Sequence, residues 1–258
     1  AAGLPVLMHG NTDEAHRFGV DASVDIMAHG LWNWNTQHTT TTEPTPDIRK
    51  ILDDELAHNV GWQPTIQVLY GIKDLFNTSY LADPRLARVL PTNLLNWYRS
   101  PQGQWFHDVL AQDFKLPADA DPGELGRRVE EGIGTPTDRV KHEVAYLVAR
   151  HARILFGTDT PSAPTYANPP GLNGWMEMQR LIEAGETPAQ IFKSATLTNA
   201  QALKLDKDIG TVQIGKRANL LLLRQDPART IDAYADIEKV ILNGRVLDPS
   251  ELAANGAR

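Results

Sequence analysis

The chain has 258 residues, of which 41% are hydrophobic and 22% charged, with a formal net charge of −7. That much apolar material supports a sizeable core and excludes wholesale disorder, and the acidic balance disfavours nucleic acid, whose phosphates need a basic face. Cysteine is absent, which excludes disulfides and thiolate metal sites, and no apolar run approaches the roughly 18 residues of a membrane span.

The first residues, AAGLPVLMHG, have no basic start and no long apolar stretch before a cleavage site. They are not read as a signal peptide. They look like the middle of a longer protein, and cytoplasm and periplasm both stay open. Residues 4–8 (LPVLM) form an apolar run suited to a buried parallel strand, ending at His9-Gly10. A short helix is predicted over 11–18, capped by Asn11 and stopped by Gly19. Residues 23–28 (SVDIMA) read as a second strand ending at His29-Gly30. Strand, His, helix, strand, His within about 30 residues is the size of one βαβ unit.

A polar, Thr-rich loop follows over 31–46, then a helix over 48–59 with Ile51, Leu52 and Leu56 on one face. Residues 62–70 (WQPTIQVLY) are a third strand candidate, weakened at its start by Pro64. Helical segments are expected around 83–98 and 104–113, and PADADPGE (117–124) is loop material. Thr137 is predicted to cap a helix over 138–151, and RILF (153–156) is a further short strand, followed by Gly157, Thr158 and Asp159. After a Pro-rich loop come helices over 172–184 and 188–203, the second capped by Thr187 with Pro188 at its first position. From Ile209 the texture becomes short strands, with an Asn243-Gly244 hairpin turn. The change near residue 206 divides the chain into 1–205 and 206–258.

His9, His29 and Asp159 share one feature: each stands at the carboxyl end of a predicted parallel strand. In an α/β sheet those ends face one side, so residues distant in sequence converge there. Two imidazoles and a carboxylate at one rim suit Zn²⁺ or a similar divalent ion. Taken singly, a His after a strand is more often packed or solvated, and an Asp after Gly-Thr more often caps a helix or closes a turn. The remaining histidines fall in predicted helices and loops and read as structural or solvated; His38 stands apart, because its loop follows His29. Trp32, Trp34, Trp97, Trp105 and Trp175 could line a pocket, though packing is the commoner role. No nucleophile elbow or glycine-rich phosphate loop is present.

With those residues in hand, the chain resembles the C-terminal part of the amidohydrolase superfamily, in its imidazolonepropionase- and prolidase-like branch. GLPVLMHG is similar to the fifth barrel strand with its His, EAHRFGVDASVDIMAHG to the next helix and the sixth strand with its His, and ILFGTDTP to the eighth strand with its Asp. TPAQIFKSATLTNAQALKL, IGTVQIGKRANLLLLRQDP and VILNGRV resemble the last helix and the returning β-sandwich. Ala218-Asn219-Leu220 stands where the family often has Ala-Asp-Leu. No His-x-His occurs, although the family carries one on its first strand.

The resemblance implies an α/β fold: strands 5–8, the C-terminal half of a TIM (β/α)8 barrel, in 1–205, and part of a small β-sandwich in 206–258. It implies a metal-dependent hydrolase of amides, cyclic amides or dipeptides, with one or two divalent ions, Zn²⁺ foremost. His9, His29 and Asp159 would be ligands and Asp159 the catalytic base. The loops after His29, Tyr70 and Asp159 would select a small-molecule substrate, with Tyr70 and His38 as contacts. A missing N-terminal half, or a partner chain, would complete the barrel; a homo-oligomer stays open. Residues 1–258 alone are expected to bind metal weakly and not to turn over. The alternative is a non-catalytic half-barrel interaction module.

Overall fold

The structure, a computed structural model, describes residues 3–34, 40–77, 79–113, 122–162 and 165–255. It is an α/β fold with two separate sheets. The first begins with β1 (Leu7–His9), α1 (Asp13–Asp21), β2 (Ile26–Ala28), α2 (Pro46–Ala57) and β3 (Gly61–Gln63). The three strands are parallel in the order β1-β2-β3. A parallel bridge from Trp62 to Ile154 adds residues 153–156 at the far side, as one bridge and not the four-residue strand predicted.

Register sorts the side chains. Met8, Met27, Trp62 and Ile154 fall in one row, and Met27, Trp62 and Ile154 are buried with Ile51 and Leu52 of α2 in the main core. Ile26 and Leu155 meet Ala202 in a separate small cluster, as alternation across a pleated sheet requires. The next residues along each strand, His9, Ala28 and Gln63, share a row at the carboxyl ends.

The third predicted strand is corrected. After Gln63 the chain turns at Thr65 (φ 49°) and residues Ile66–Asp74 form helix α3. A short apolar run fits a buried strand and a buried helix equally well. Here Pro64 cannot extend the ladder, and Ile66 and Leu69 face the main core at helical spacing.

Three short helices follow: α4 (Leu86–Val89), α5 (Thr92–Tyr98) and α6 (Trp105–Asp113). Leu86, Leu90, Leu95 and Tyr98 build a second core with Tyr166 and Met176. Next comes α7 (Pro122–Val148), far longer than predicted. Residues 122–124, read as loop, begin it, and 117–121 lie outside the described residues. Thr137 is no cap; its hydroxyl donates to the Ile133 carbonyl four residues back, one position after Pro136. Val140, Val144 and Leu147 are buried as their spacing predicts.

Helix α8 (Leu172–Glu183) and α9 (Pro188–Lys193) follow, α9 opened by the predicted Thr187 cap in a full capping box with Gln190. One π-helical turn, 194–198, leads into α10 (Asn199–Ala202). The second sheet is antiparallel, β4 (Leu220–Leu223), β5 (Ile237–Leu242) and β6 (Arg245–Leu247), in that order. Asn243 (φ 50°) and Gly244 (φ 81°) make the predicted two-residue turn between β5 and β6. Among the described residues no helix is long and apolar enough to cross a membrane.

Candidate functional site

The parallel sheet delivers the predicted residues to one end. His9 closes β1, and His29 follows the last residue of β2. The His29 backbone N–H donates to the Gln63 carbonyl at the end of β3 (2.7 Å). Asp159 follows the bridged segment by a few residues, and the Gln63 side chain lies across Gly157, where a β-carbon would come within 2.1 Å of Gln63 Nε2. Only a glycine allows that approach.

Of the selected residues, His9, His29 and Asp159 lie near one another. The rings of His9 and His29 meet edge-on with centroids 4.5 Å apart. His29 Nε2 is 4.0 Å from Asp159 Oδ2. His29 is buried (6% exposed), whereas the Asp159 side chain is 46% exposed. Burial pushes the His29 imidazole below its ordinary pKa; the Asp159 carboxylate pulls it back up, and His9 and His16 add to the depression. The other His29 nitrogen, Nδ1, is 2.6 Å from Thr65 Oγ1. Three of these residues sit in the left-handed region: His29 (φ 74°), Thr65 (φ 49°) and Asp159 (φ 49°). Each such residue costs about 1–3 kcal/mol and persists where the surroundings over-determine it, as functional sites do. For β-branched Thr65 the conformation is an outright exception.

The donor chemistry, two imidazoles and a carboxylate, fits a divalent ion such as zinc. The geometry fits only in part. Two ligands of one tetrahedral zinc lie about 3.4 Å apart, so the His29–Asp159 separation is wide. Among the described residues no group of three or more His, Cys, Asp or Glu is arranged to hold a metal ion. His9, His29 and Asp159 thus offer suitable donor types without forming a metal site among the described residues.

The other candidates are placed differently. Tyr70 is in α3 and not at a strand end; its hydroxyl donates to Glu183 Oε2 (3.0 Å), and Arg180 stacks on its ring at 4.0 Å. His38 lies outside the described residues. Trp32 borders the site, its ring 6.0 Å from that of His29. Trp34 is core, and Trp97 and Trp105 are partly exposed on α5 and at the start of α6. A cavity of about 430 Å³ lies at the opposite end of the sheet, among Leu56, Val60, Arg150 and Arg153. There the Arg153 guanidinium donates to the carbonyls of Asp25 and Asn59.

Sequence reasoning missed three glutamates beneath the site. Glu55, Glu143 and Glu177 are each at most 1% exposed. Glu55 Oε1 is 2.8 Å from His16 Nδ1, and its Oε2 accepts from Trp62 Nε1. Glu143 accepts from the Leu31 backbone and from Trp34 Nε1, fixing the segment after His29. Glu177 accepts from the Ile66 and Gln67 backbones at the start of α3. Buried carboxylates must be satisfied in this way. A signal was present: each glutamate falls within an apolar stripe, as with Val140, Glu143, Val144 and Leu147.

Residues 141–247 match the family model described as amidohydrolase family. A 5-methylthioadenosine/S-adenosylhomocysteine deaminase of Moorella thermoacetica is 41% identical over 70 residues, 22% of this chain and 16% of that protein. Among solved structures, a Xaa-Pro dipeptidase with methionine in its active site superposes with a TM-score of 0.58 at 17% identity, over 95% of this chain and 45% of that one. A prolidase-like structure from Bifidobacterium longum gives a TM-score of 0.56 at 21% identity, over 95% and 47%. Both structures share the α/β fold with this chain, which spans less than half the length of each.

Proposed function

We propose that this chain is the C-terminal part of a metal-dependent hydrolase that cleaves carbon–nitrogen bonds in amides, cyclic amides or dipeptides. The convergence of His9, His29 and Asp159 at the carboxyl end of a parallel sheet carries the reading. The amidohydrolase family match and the deaminase and dipeptidase relatives support it. His9, His29 and Asp159 would hold the ion, with further ligands from outside the described residues. A bound divalent ion supplies a water acidified to a pKa of about 7 and a polarised carbonyl.

The protein's own residues do the rest. Asp159, open to solvent on one side, takes the proton of the attacking water on a carboxylate oxygen and returns it to the leaving nitrogen. His29 is anchored through Nδ1, which leaves Nε2 directed toward Asp159. Trp32 and Gln63 flank the mouth and would bear on the substrate. The architecture proposed is strands 5–8 of a (β/α)8 barrel with part of a β-sandwich. The outer side of β1 has no strand partner among the described residues, and Leu4, Val6 and Leu7 before and within it are exposed. That edge would receive the strand that completes the barrel, from the same protein or a partner chain.

The test is turnover by the complete protein on a panel of dipeptides, cyclic amides and simple amides, with Asp159→Asn alongside. Loss of at least about a thousandfold is expected for a proton-transferring metal ligand. Undiminished turnover by the variant would end the assignment.

A further inference from the structure

We propose that Glu177 is a positioning residue for His29: by capping helix α3 in place of Thr65, it frees the Thr65 hydroxyl to hold the imidazole. Thr65 occupies the N-cap of α3. A threonine there ordinarily turns its hydroxyl onto the second or third helical N–H. In this helix it makes no such bond. Its Oγ1 is instead 2.6 Å from His29 Nδ1. The orphan N–H groups of the first turn are taken over from another helix, Ile66 N–H donating to Glu177 Oε1 (3.0 Å) and Gln67 N–H to Oε2 (2.7 Å).

The substitution is specific in its chemistry. A carboxylate offers two acceptors and a negative charge to the positive end of the helix, more than a hydroxyl can. Glu177 itself is fully buried and 110 residues away in sequence from the amide it receives. Thr65 is held in the left-handed region, which a β-branched residue avoids. In that conformation the hydroxyl points at the ring while the next two amides point at Glu177. The path from Glu177 through residues 65–67 to His29 is a positioning one, in the manner of the outer partners that orient metal-binding histidines. Burial pushes the Glu177 carboxyl up to about 7, and the two backbone amides and Arg180 draw it back.

The inference rests on His29 belonging to the proposed site, but its test needs neither metal nor turnover, so the two readings fail separately. The ring nitrogens of His29 are followed by NMR in the histidine-labelled chain, assigned by loss of signal in His29→Gln. In the unaltered chain one tautomer is expected. Thr65→Val should move the His29 signals toward the averaged position of an unanchored ring. Glu177→Gln and Glu177→Leu should do the same although neither touches His29, because Thr65 turns back to cap the helix. A folded Glu177 variant with lower thermal stability and unchanged His29 signals would overturn the proposal, since a merely structural carboxylate predicts that result. Should neither variant unfold cooperatively, the unaltered chain carries a second readout. Scalar coupling across the hydrogen bonds from the Ile66 and Gln67 nitrogens to the Glu177 carboxylate carbon is expected, and its absence overturns the proposal.

Discussion

The two sheets of this molecule are built on opposite terms. The parallel sheet is short in every strand, yet β2 is buried along its whole length and the helices around it close a core. It even takes carboxylates into that core, each bonded to backbone or indole donors. The antiparallel sheet has one longer ladder, between β4 and β5, and almost no interior. Leu221, Leu222, Leu242 and Val246 are about half exposed or more, and Leu247 is the only strand residue there that is buried, among the described residues. Around β2 and its helices the packing is dense enough to enclose carboxyl groups, although the outer edge of β1 stays exposed. A region that leaves leucines in water has no such packing around it among the described residues, and two packed layers are what a sheet ordinarily needs.

The comparison breaks most severely at the buried glutamates. Glu143→Ala orphans the buried Leu31 N–H and takes away one of the two acceptors of Trp34 Nε1–H, which keeps the Leu31 carbonyl. A loss on the order of 4 kcal/mol is expected in urea denaturation, since an orphaned buried donor costs about 1–3 kcal/mol and the space left by the truncated side chain adds a cavity cost. A loss below about 1 kcal/mol would mean that water reaches this interior. Glu186 gives the next largest effect, read through pH. Its Oε2 has no partner among the described residues, and burial raises the carboxyl from 4.5 to about 7. Between those values the folded protein binds more protons than the unfolded one, so stability falls as pH rises through that window. The full difference, roughly 3 kcal/mol, is present as a penalty above pH 7. Glu177 moves in the same direction, so Glu186→Gln should lessen the slope between pH 4.5 and 7 and not abolish it.

These glutamates also mark the limit of what the sequence discloses. His9, His29 and Asp159 were legible because strand ends in a parallel sheet must converge, and short apolar runs punctuated by His-Gly or Gly-Thr locate those ends. The Asn243-Gly244 turn and the Thr187 cap were legible because their backbone chemistry is local. Glu143 was not, because a single charge in an apolar stripe reads as a break in pattern until its donors, over a hundred residues away, are known. Tyr70 was misplaced for another local reason. The run after Pro64 fits strand and helix periods alike, and what decides it is Glu177 supplying the cap of α3 from α8. Thr137 likewise read as the start of a helix over 138–151, yet α7 begins at Pro122 and runs through Pro136, packed against α3.

A smaller effect is expected where the helix layer touches the parallel sheet. Gly30 follows His29, and a β-carbon there would come within 2.4 Å of both Val140 methyls. Gly30→Ala should cost about 2 kcal/mol by overpacking, and Val140→Ala in the same chain should recover part of it. Failure of that rescue would show that the backbone of residues 29–31, and not the contact with α7, sets the cost.

The smallest effect sharpens the contrast from the other side. Leu222 pairs with Lys239 in the antiparallel sheet and is 49% exposed. Leu222→Thr keeps a side chain suited to a strand and removes apolar surface that, in this chain, is already in water. The change in unfolding free energy should stay within about 0.5 kcal/mol. The same substitution in the complete protein should cost about 1–3 kcal/mol if a further layer covers the sheet there, because the leucine would then be a core residue. Equal, negligible costs in both settings would mean that nothing packs on this face. The exposed leucines of β4 would then be an ordinary surface and not one side of a sandwich.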